Sequence, residues 1–337
     1  MSSERTITTA RNVSFKVLDA GPPKTDRYGA DYLTLVFLHG WGMPSIGITE
    51  RLASIAPAND VRLIAVNRRG YPGSSPYTPD EARVLKDGTV EERAAFYRDE
   101  GHQYAHLLDA LVQDGTVGVG GIALAAWSIG NAHLSATIAA VHELPDAVRE
   151  RLSRFIKTFI YFEAVPKPMG VPNPPGYIPT DEAASATWFA SYFAHDLAAR
   201  DVAKLQMRDA DPARPPTDAQ EGFYAKYADV SGALNADEAL FKPDILPALR
   251  AAGQAALFSA DVRRAWGDPK VAYVFGGSSV WTAVWMAWTI EDELRARGSD
   301  TPEIIFKVVG GANHYAVFDH AEETLQAFLE CVKAAEA

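Results

Sequence analysis

The chain has one cysteine in 337 residues, Cys331, so no internal disulfide can form. No apolar run approaches the ~20 residues needed to cross a bilayer. The N-terminal stretch Met1 to Asn12 is polar and lacks the apolar core of a secretory signal. Basic runs are absent too, and the net charge is -11, which argues against nucleic acid and anionic membrane surfaces as partners. There is no internal repeat. A metal motif is also missing: His102 and His106 are four apart on one helix face, but no Glu stands beside the first and no third ligand cluster accompanies them. These absences leave a soluble, cytoplasmic chain with a small-molecule partner, no metal and no cofactor as the expectation. Hydrophobic residues make up 47% of it, ample for a large core.

Apolar runs mark the strands. Thr6 to Thr9 and Val13 to Leu18 read as edge or hairpin strands, followed by runs at Leu33–Leu38, Val61–Val66, Gly121–Ala126, Thr158–Phe162, Val271–Phe275 and Ile304–Val309. Between them lie helix-like stretches at Gly47–Ile55, Glu92–Val112, Asn131–Val141, Val280–Arg297 and Ala321–Ala335. Strands alternating with helices predict an α/β fold, a mostly parallel sheet with helices on both faces. The alternation breaks once. From residue 167 to 266 no strand is expected; a proline-rich stretch (Pro166, Pro168, Pro172, Pro174, Pro175, Pro179) leads into helical segments rich in aromatics, among them Trp188, Phe189, Tyr192 and Phe193. An excursion of that length carries function or disorder, and its aromatics favour a packed helical cap. The expected domains are a core of 1–166 with 267–337 and a cap of 167–266.

The chemistry starts at Ser128. The run Ala126-Trp127-Ser128-Ile129-Gly130 follows an apolar strand and precedes a helix. A tight strand-to-helix turn with small residues on both sides lifts a serine hydroxyl out of the sheet, and such a serine needs a base to become nucleophilic. His314, in Gly310-Gly311-Ala312-Asn313-His314-Tyr315 after the last strand, falls at the same edge of the sheet, and an imidazole can take a proton and return it. The turn His39-Gly40-Trp41-Gly42 after the strand Leu33–Leu38 can aim a backbone amide at the serine, which makes the amides of Trp41 and Ile129 the expected oxyanion donors. The orienting acid is harder to place. Gly276-Gly277-Ser278-Ser279 after the seventh strand holds no carboxylate, and Glu291 and Asp292 lie about three turns further on. Glu163 ends an apolar strand at the right edge, and a carboxylate buried there needs a partner. The expected site is therefore Ser128, His314 and Glu163. Trp41, Trp188, Tyr192, Trp281 and Tyr315 are expected to contact a largely apolar substrate.

Taken together the elbow, the His-Gly-Trp-Gly turn and the terminal histidine resemble the α/β-hydrolase superfamily, over everything except the cap. Arg69-Gly70-Tyr71-Pro72-Gly73-Ser74 resembles the turn after that family's fourth strand. Ala126 departs from the usual Gly. An acid after the sixth strand resembles the fungal zearalenone-lactonase branch. What the resemblance implies is a serine hydrolase of hydrophobic carboxylic esters or lactones working through an acyl-enzyme. The same residues would also suit a lactone-forming or lactone-rearranging enzyme, a small-ligand receptor, or a lyase.

Overall fold

Eight strands form one sheet: β1 (Ser3–Thr8), β2 (Ser14–Asp19), β3 (Leu33–Leu38), β4 (Val61–Val66), β5 (Ile122–Trp127), β6 (Ile156–Phe162), β7 (Lys270–Gly276) and β8 (Ile304–Val309). Their order across the sheet is β1-β2-β4-β3-β5-β6-β7-β8. β1 and β2 pair antiparallel, β2 joins β4 antiparallel, and every other pairing is parallel. The computed structural model describes residues 2–23, 31–175, 177, 186–298 and 301–333; of the prolines that open the expected cap, Pro179 lies outside them, as do the last two residues of the expected helix Ala321–Ala335.

Parallel strands need crossovers, and helices supply them. In chain order these are α1 (Ser45–Ile48), α2 (Glu50–Ile55), α3 (Pro79–Asp87), α4 (Val90–Gln113), α5 (Gly130–Ala139), α6 (Asp146–Phe155), α7 (Ala186–Ala190), α8 (Phe223–Tyr227), α9 (Val230–Ala236), α10 (Leu246–Phe258), α11 (Ala260–Ala265), α12 (Trp281–Arg297), α13 (Ala316–Asp319) and α14 (Ala321–Lys333). Successive strand residues point to opposite faces, and the core divides accordingly. Val36, Leu38, Leu124, Ala126, Tyr161 and Tyr273 join one cluster with residues of α4, α5, α10 and α12. Leu35, Phe37, Ala123, Ala125, Phe162 and Val274 join the other with α2 and α14.

Outside the strand-free stretch, α3, α6 and the one-turn α13 have no counterpart among the helices expected from the sequence. α3 is set by a capping box, in which Thr78 accepts from the amide of Glu81 and Glu81 accepts from the amide of Thr78, with Pro79 opening the helix. α6 buries only Val148 and Leu152, a stripe too sparse to stand out. The tryptophan series on α12 is core for Trp281 and Trp288, while half-buried Trp285 donates its indole N–H to Pro172 O at 3.0 Å.

The strand-free stretch divides in two. α10 lies along α5, its residues Arg250 and Gln254 bind Glu293 on α12, and Trp266 after α11 donates to Ile138 O at 2.9 Å. Its last third therefore covers a sheet face. The earlier part touches the loops that follow the strands: Asn313 donates to Ala190 O at 2.6 Å, and the amide of Asp229 donates to Gly42 O at 2.8 Å.

Candidate active site

The central strands end within one residue of each other. Leu38 pairs with Ala126, Trp127 with Phe162, and Phe162 is level with Val274. The residues that follow, His39, Ser128 and Glu163, therefore share one edge of the sheet. Ser128 donates its amide to Phe162 O at 3.0 Å and Glu163 donates its own to Val274 O at 2.9 Å, so each extends the ladder by one bond before the chain turns. The turn is abrupt in both. Ser128 has φ 55° and Glu163 φ 52°, left-handed conformations that non-glycine residues adopt at a cost of roughly 1–3 kcal/mol. For Ser128 the surroundings leave no alternative. A Cβ on Gly40 would stand 2.9 Å from Ser128 Cβ, and one on Gly130 would stand 2.6 Å from His39 O, so both must be glycine. Asn131 locks the elbow: its Nδ2 donates to Ser128 O at 2.7 Å and to Phe162 O at 2.9 Å.

Ser128, His314 and Glu163 form one chain of hydrogen bonds. Ser128 Oγ lies 3.0 Å from His314 Nε2, and His314 Nδ1 lies 2.7 Å from Glu163 Oε2. Glu163 is fully buried and His314 is 3% exposed. The carboxylate accepts twice more, from the Gly276 amide at 2.5 Å and from the Ser279 hydroxyl. The end of β7 and the loop after it thus bring no acid but two donors to the acid that follows β6. Glu291 and Asp292, the next carboxylates in sequence, are engaged by Arg200 and Arg295. The imidazole is also held through its backbone, because Trp127 Nε1 donates to His314 O at 2.8 Å. With Nδ1–H committed to a carboxylate, Nε2 is the acceptor that faces the serine hydroxyl.

Behind this chain lies the loop His39–Gly42. The amides of Trp41 and Ile129 have no hydrogen-bond acceptor among the described residues. The carbonyl of Gly40 accepts from His39 Nδ1 at 2.7 Å and from Arg68 at 3.0 Å. Burial and the charge of Arg68 hold the His39 imidazole well below its ordinary pKa, so it stays neutral, with Nε2 accepting from the Arg68 amide. Arg68 and Asp237 make a bidentate ion pair, both bonds 2.7 Å and both side chains fully buried.

The five residues expected to contact substrate separate. Trp41 exposes 40% of its surface beside the site. Trp188 is buried, its indole N–H bonded to Met207 O at 3.2 Å, and Tyr192 gives its hydroxyl to Asp319 at 2.8 Å beneath the Arg214 guanidinium. Trp281 is buried, 4.8 Å between ring centroids from Tyr177. Tyr315 packs under Trp127 and against Phe223. Among the described residues three aromatic rings meet the imidazole: Trp127 of the elbow and Phe189, each 5.4 Å from His314 between centroids, and Tyr315 at 6.2 Å; of these Phe189, between Trp188 and Tyr192 in sequence, comes from the strand-free stretch. Which of Trp188 and Phe189 faces inward depends on the rotation of α7, and composition does not fix it. Ser279, Asn131, Arg68 and Asp237 also went unread. The only sequence signal was the charged pair Arg68-Arg69 closing an apolar strand.

Hollows indent the surface elsewhere. Among the described residues these include one of about 570 Å³ around Pro175, Asp201, Leu205 and Met207 and one of about 550 Å³ between Tyr77, Leu85, Leu234 and Lys242; neither is lined by Ser128, Glu163 or His314. Among the described residues no group of three His, Cys, Asp or Glu side chains is placed to hold a metal, and no helix is long and apolar enough to cross a membrane.

A family model described as the alpha/beta hydrolase family matches residues 35–327. No curated protein matches the chain closely in sequence. Solved structures similar to it include a carboxylesterase of the thaumarchaeon Nitrososphaera gargenis, at 17% identity and TM-score 0.53, covering 98% of this chain and 99% of that one. A thermophilic esterase from Thermogutta terrifontis is similar at 14% identity and TM-score 0.50, with 99% and 100% covered. Epoxide hydrolase A from Mycobacterium thermoresistibile is similar at 16% identity and TM-score 0.53, with 99% and 98% covered.

Proposed function

The chain belongs to the alpha/beta hydrolase family, and from that premise we propose that it is a serine hydrolase that cleaves hydrophobic carboxylic esters, lactones included, through an acyl-enzyme on Ser128. The observation that carries this reading is the hydrogen-bonded chain from Ser128 Oγ through His314 to buried Glu163. His314 Nε2 removes the hydroxyl proton as Oγ attacks the ester carbonyl. Glu163 holds the imidazole in the tautomer that can accept that proton and faces the imidazolium that results. The unpartnered amides of Trp41 and Ile129 supply the donors for the oxyanion; losing one such donor costs about 100- to 1000-fold in rate. His314 then returns the proton to the leaving alkoxide, which departs as the alcohol. Water, deprotonated by the same imidazole, attacks the acyl-enzyme and releases the acid.

Structural relatives include esterases and epoxide hydrolases. A serine at the elbow favours acyl chemistry, because a serine ester forms readily from a carbonyl substrate. Residues 167–266 act as the cap in this reading, and Phe189, its ring tilted against that of His314, makes the acyl or alcohol wall apolar. The site residues and the cap boundary stand with the proposal.

The test is intact mass after treatment with a fluorophosphonate. One adduct on the wild type and none on Ser128→Ala is expected, followed by turnover of p-nitrophenyl esters or simple lactones with a gain of one water in product mass. An adduct on Ser128→Ala, or product of unchanged mass, overturns the hydrolytic reading.

A further inference from the structure

Trp41 N–H and Gly40 C=O belong to one peptide group. The carbonyl side of that peptide is occupied twice, by His39 Nδ1 at 2.7 Å and by the guanidinium of Arg68 at 3.0 Å. Its N–H side is free among the described residues. The peptide cannot rotate without breaking two buried bonds, one of them to a cation, and hydrogen bonds at a carbonyl strengthen the donor at the other end of the same amide.

Arg68 is itself fixed. Its five N–H groups all have acceptors: Nε to His39 O at 3.0 Å, one terminal nitrogen to His133 Nε2 at 2.9 Å and Asp237 Oδ1 at 2.7 Å, the other to Gly40 O and Asp237 Oδ2. Asp237 follows α9 in the strand-free stretch. It also accepts from the Tyr71 hydroxyl at 2.5 Å, and that hydroxyl accepts from the Gly42 amide at 3.0 Å. One carboxylate therefore anchors the loop His39–Gly42 at both of its ends.

We propose that Arg68 and Asp237 are positioning residues for the oxyanion donor: Asp237 holds the Arg68 guanidinium against the Gly40 carbonyl, which aims and polarises the Trp41 N–H. This rests on the serine-hydrolase reading above and adds that the strand-free stretch contributes to catalysis as well as to selectivity. Neither residue touches substrate.

The experiment measures p-nitrophenyl butyrate turnover and inhibition by phenylboronic acid, whose tetrahedral adduct uses the same donors. Each kcat is expressed per active site counted with a fluorophosphonate, so partial unfolding does not imitate the effect. The paired variant Arg68→Met/Asp237→Leu removes both charges and leaves neither buried alone. Tyr71→Phe, which removes one oxygen and no charge, covers the case in which the paired variant does not fold. For the pair we expect kcat to fall by about tenfold or more, within the about 100- to 1000-fold of losing a donor outright. KM should stay within about twofold by the same argument, boronate affinity should fall in parallel with kcat, and the pH midpoint of kcat/KM should not move. Tyr71→Phe should shift kcat and boronate affinity the same way and less. Wild-type kcat per titrated site with unchanged boronate affinity overturns the inference, as does a loss confined to KM. A wild type that neither turns over the ester nor takes the label overturns the serine reading along with it; a labelled, active wild type with unaffected variants overturns this inference alone.

Discussion

Replacing Glu163 with Gln tests the proposed acid with almost no change in shape. The native carboxylate accepts from three donors: the Gly276 amide on Oε1, and His314 Nδ1 and the Ser279 hydroxyl on Oε2. Glutamine has one acceptor oxygen. The Gly276 amide cannot reverse its role, so it claims that oxygen, and the new NH2 group faces His314 Nδ1. A donor there favours the tautomer with the proton on Nε2, the nitrogen that must accept from Ser128. The opposite rotamer sets two N–H groups against each other at about 2.5 Å, close to the hydrogen-bond minimum for heavy atoms. A wrong tautomer in an otherwise intact triad lowers kcat by up to about 10⁴, or about 5.4 kcal/mol at 1.36 per decade. The expected loss in Glu163→Gln is therefore about 10² to 10⁴, with KM little changed and the fold intact by circular dichroism. Activity within about threefold of wild type, in a folded variant, would refute the assignment of Glu163.

Four further outcomes follow from the same contacts. Ser279→Ala removes one donor to the Glu163 carboxylate and leaves the Gly276 amide in place; kcat should fall by about three- to tenfold, read in steady-state kinetics. Asn131→Ala strips the buried carbonyls of Ser128 and Phe162 of a shared donor and should cost about 2 kcal/mol in urea unfolding, with more than tenfold loss of activity as the elbow loosens. Phe189→Ala opens the wall beside His314, so kcat/KM should fall for long-chain p-nitrophenyl esters relative to acetate, by about tenfold if one ring's contact is lost. Burial opposes ionisation of Asp19, but hydrogen bonds from Arg62 and the Gly21 amide and the charges of Arg62 and Arg5 outweigh it and hold its carboxyl below the ordinary aspartate value of 3.8. A depressed acid contributes stability above its unfolded pKa and loses it as pH falls through the folded one. The difference in urea midpoint between wild type and Asp19→Asn should therefore be full at pH 7 and shrink below pH 3.8; a difference that does not change with pH would refute it.

Strands were legible wherever an apolar run is bounded by polar residues. Leu33–Leu38 and Val61–Val66 match the structure end to end, because a strand buried on both faces has no other composition; Ile304–Val309 at the sheet edge matches too, although only its two end residues are buried. Ser128, His314 and Glu163 were legible because each follows such a run, and the parallel register carries them to one edge. What escaped depends on distance or rotation. Arg68 and Asp237 are 169 positions apart and meet only through the fold. The loop that holds Ser279 carries no acid and supplies a donor to one on another strand, a role that leaves no mark on the local sequence. Phe189 was one aromatic among several on a short helix whose rotation no periodicity defines.

The buried pair of Arg68 and Asp237 has a consequence for inheritance and for chimeras. A guanidinium sealed in the core cannot outlive its carboxylate without a large loss of stability, about 3–5 kcal/mol for a broken buried pair. The strand-free stretch is therefore no exchangeable cassette. A graft from a relative that lacks an acid at the Asp237 position would strand Arg68, however well its aromatics suited a new substrate. Lineages that alter one of the two should alter both, and transplants that carry a matching residue across with the segment should fold where bare swaps fail.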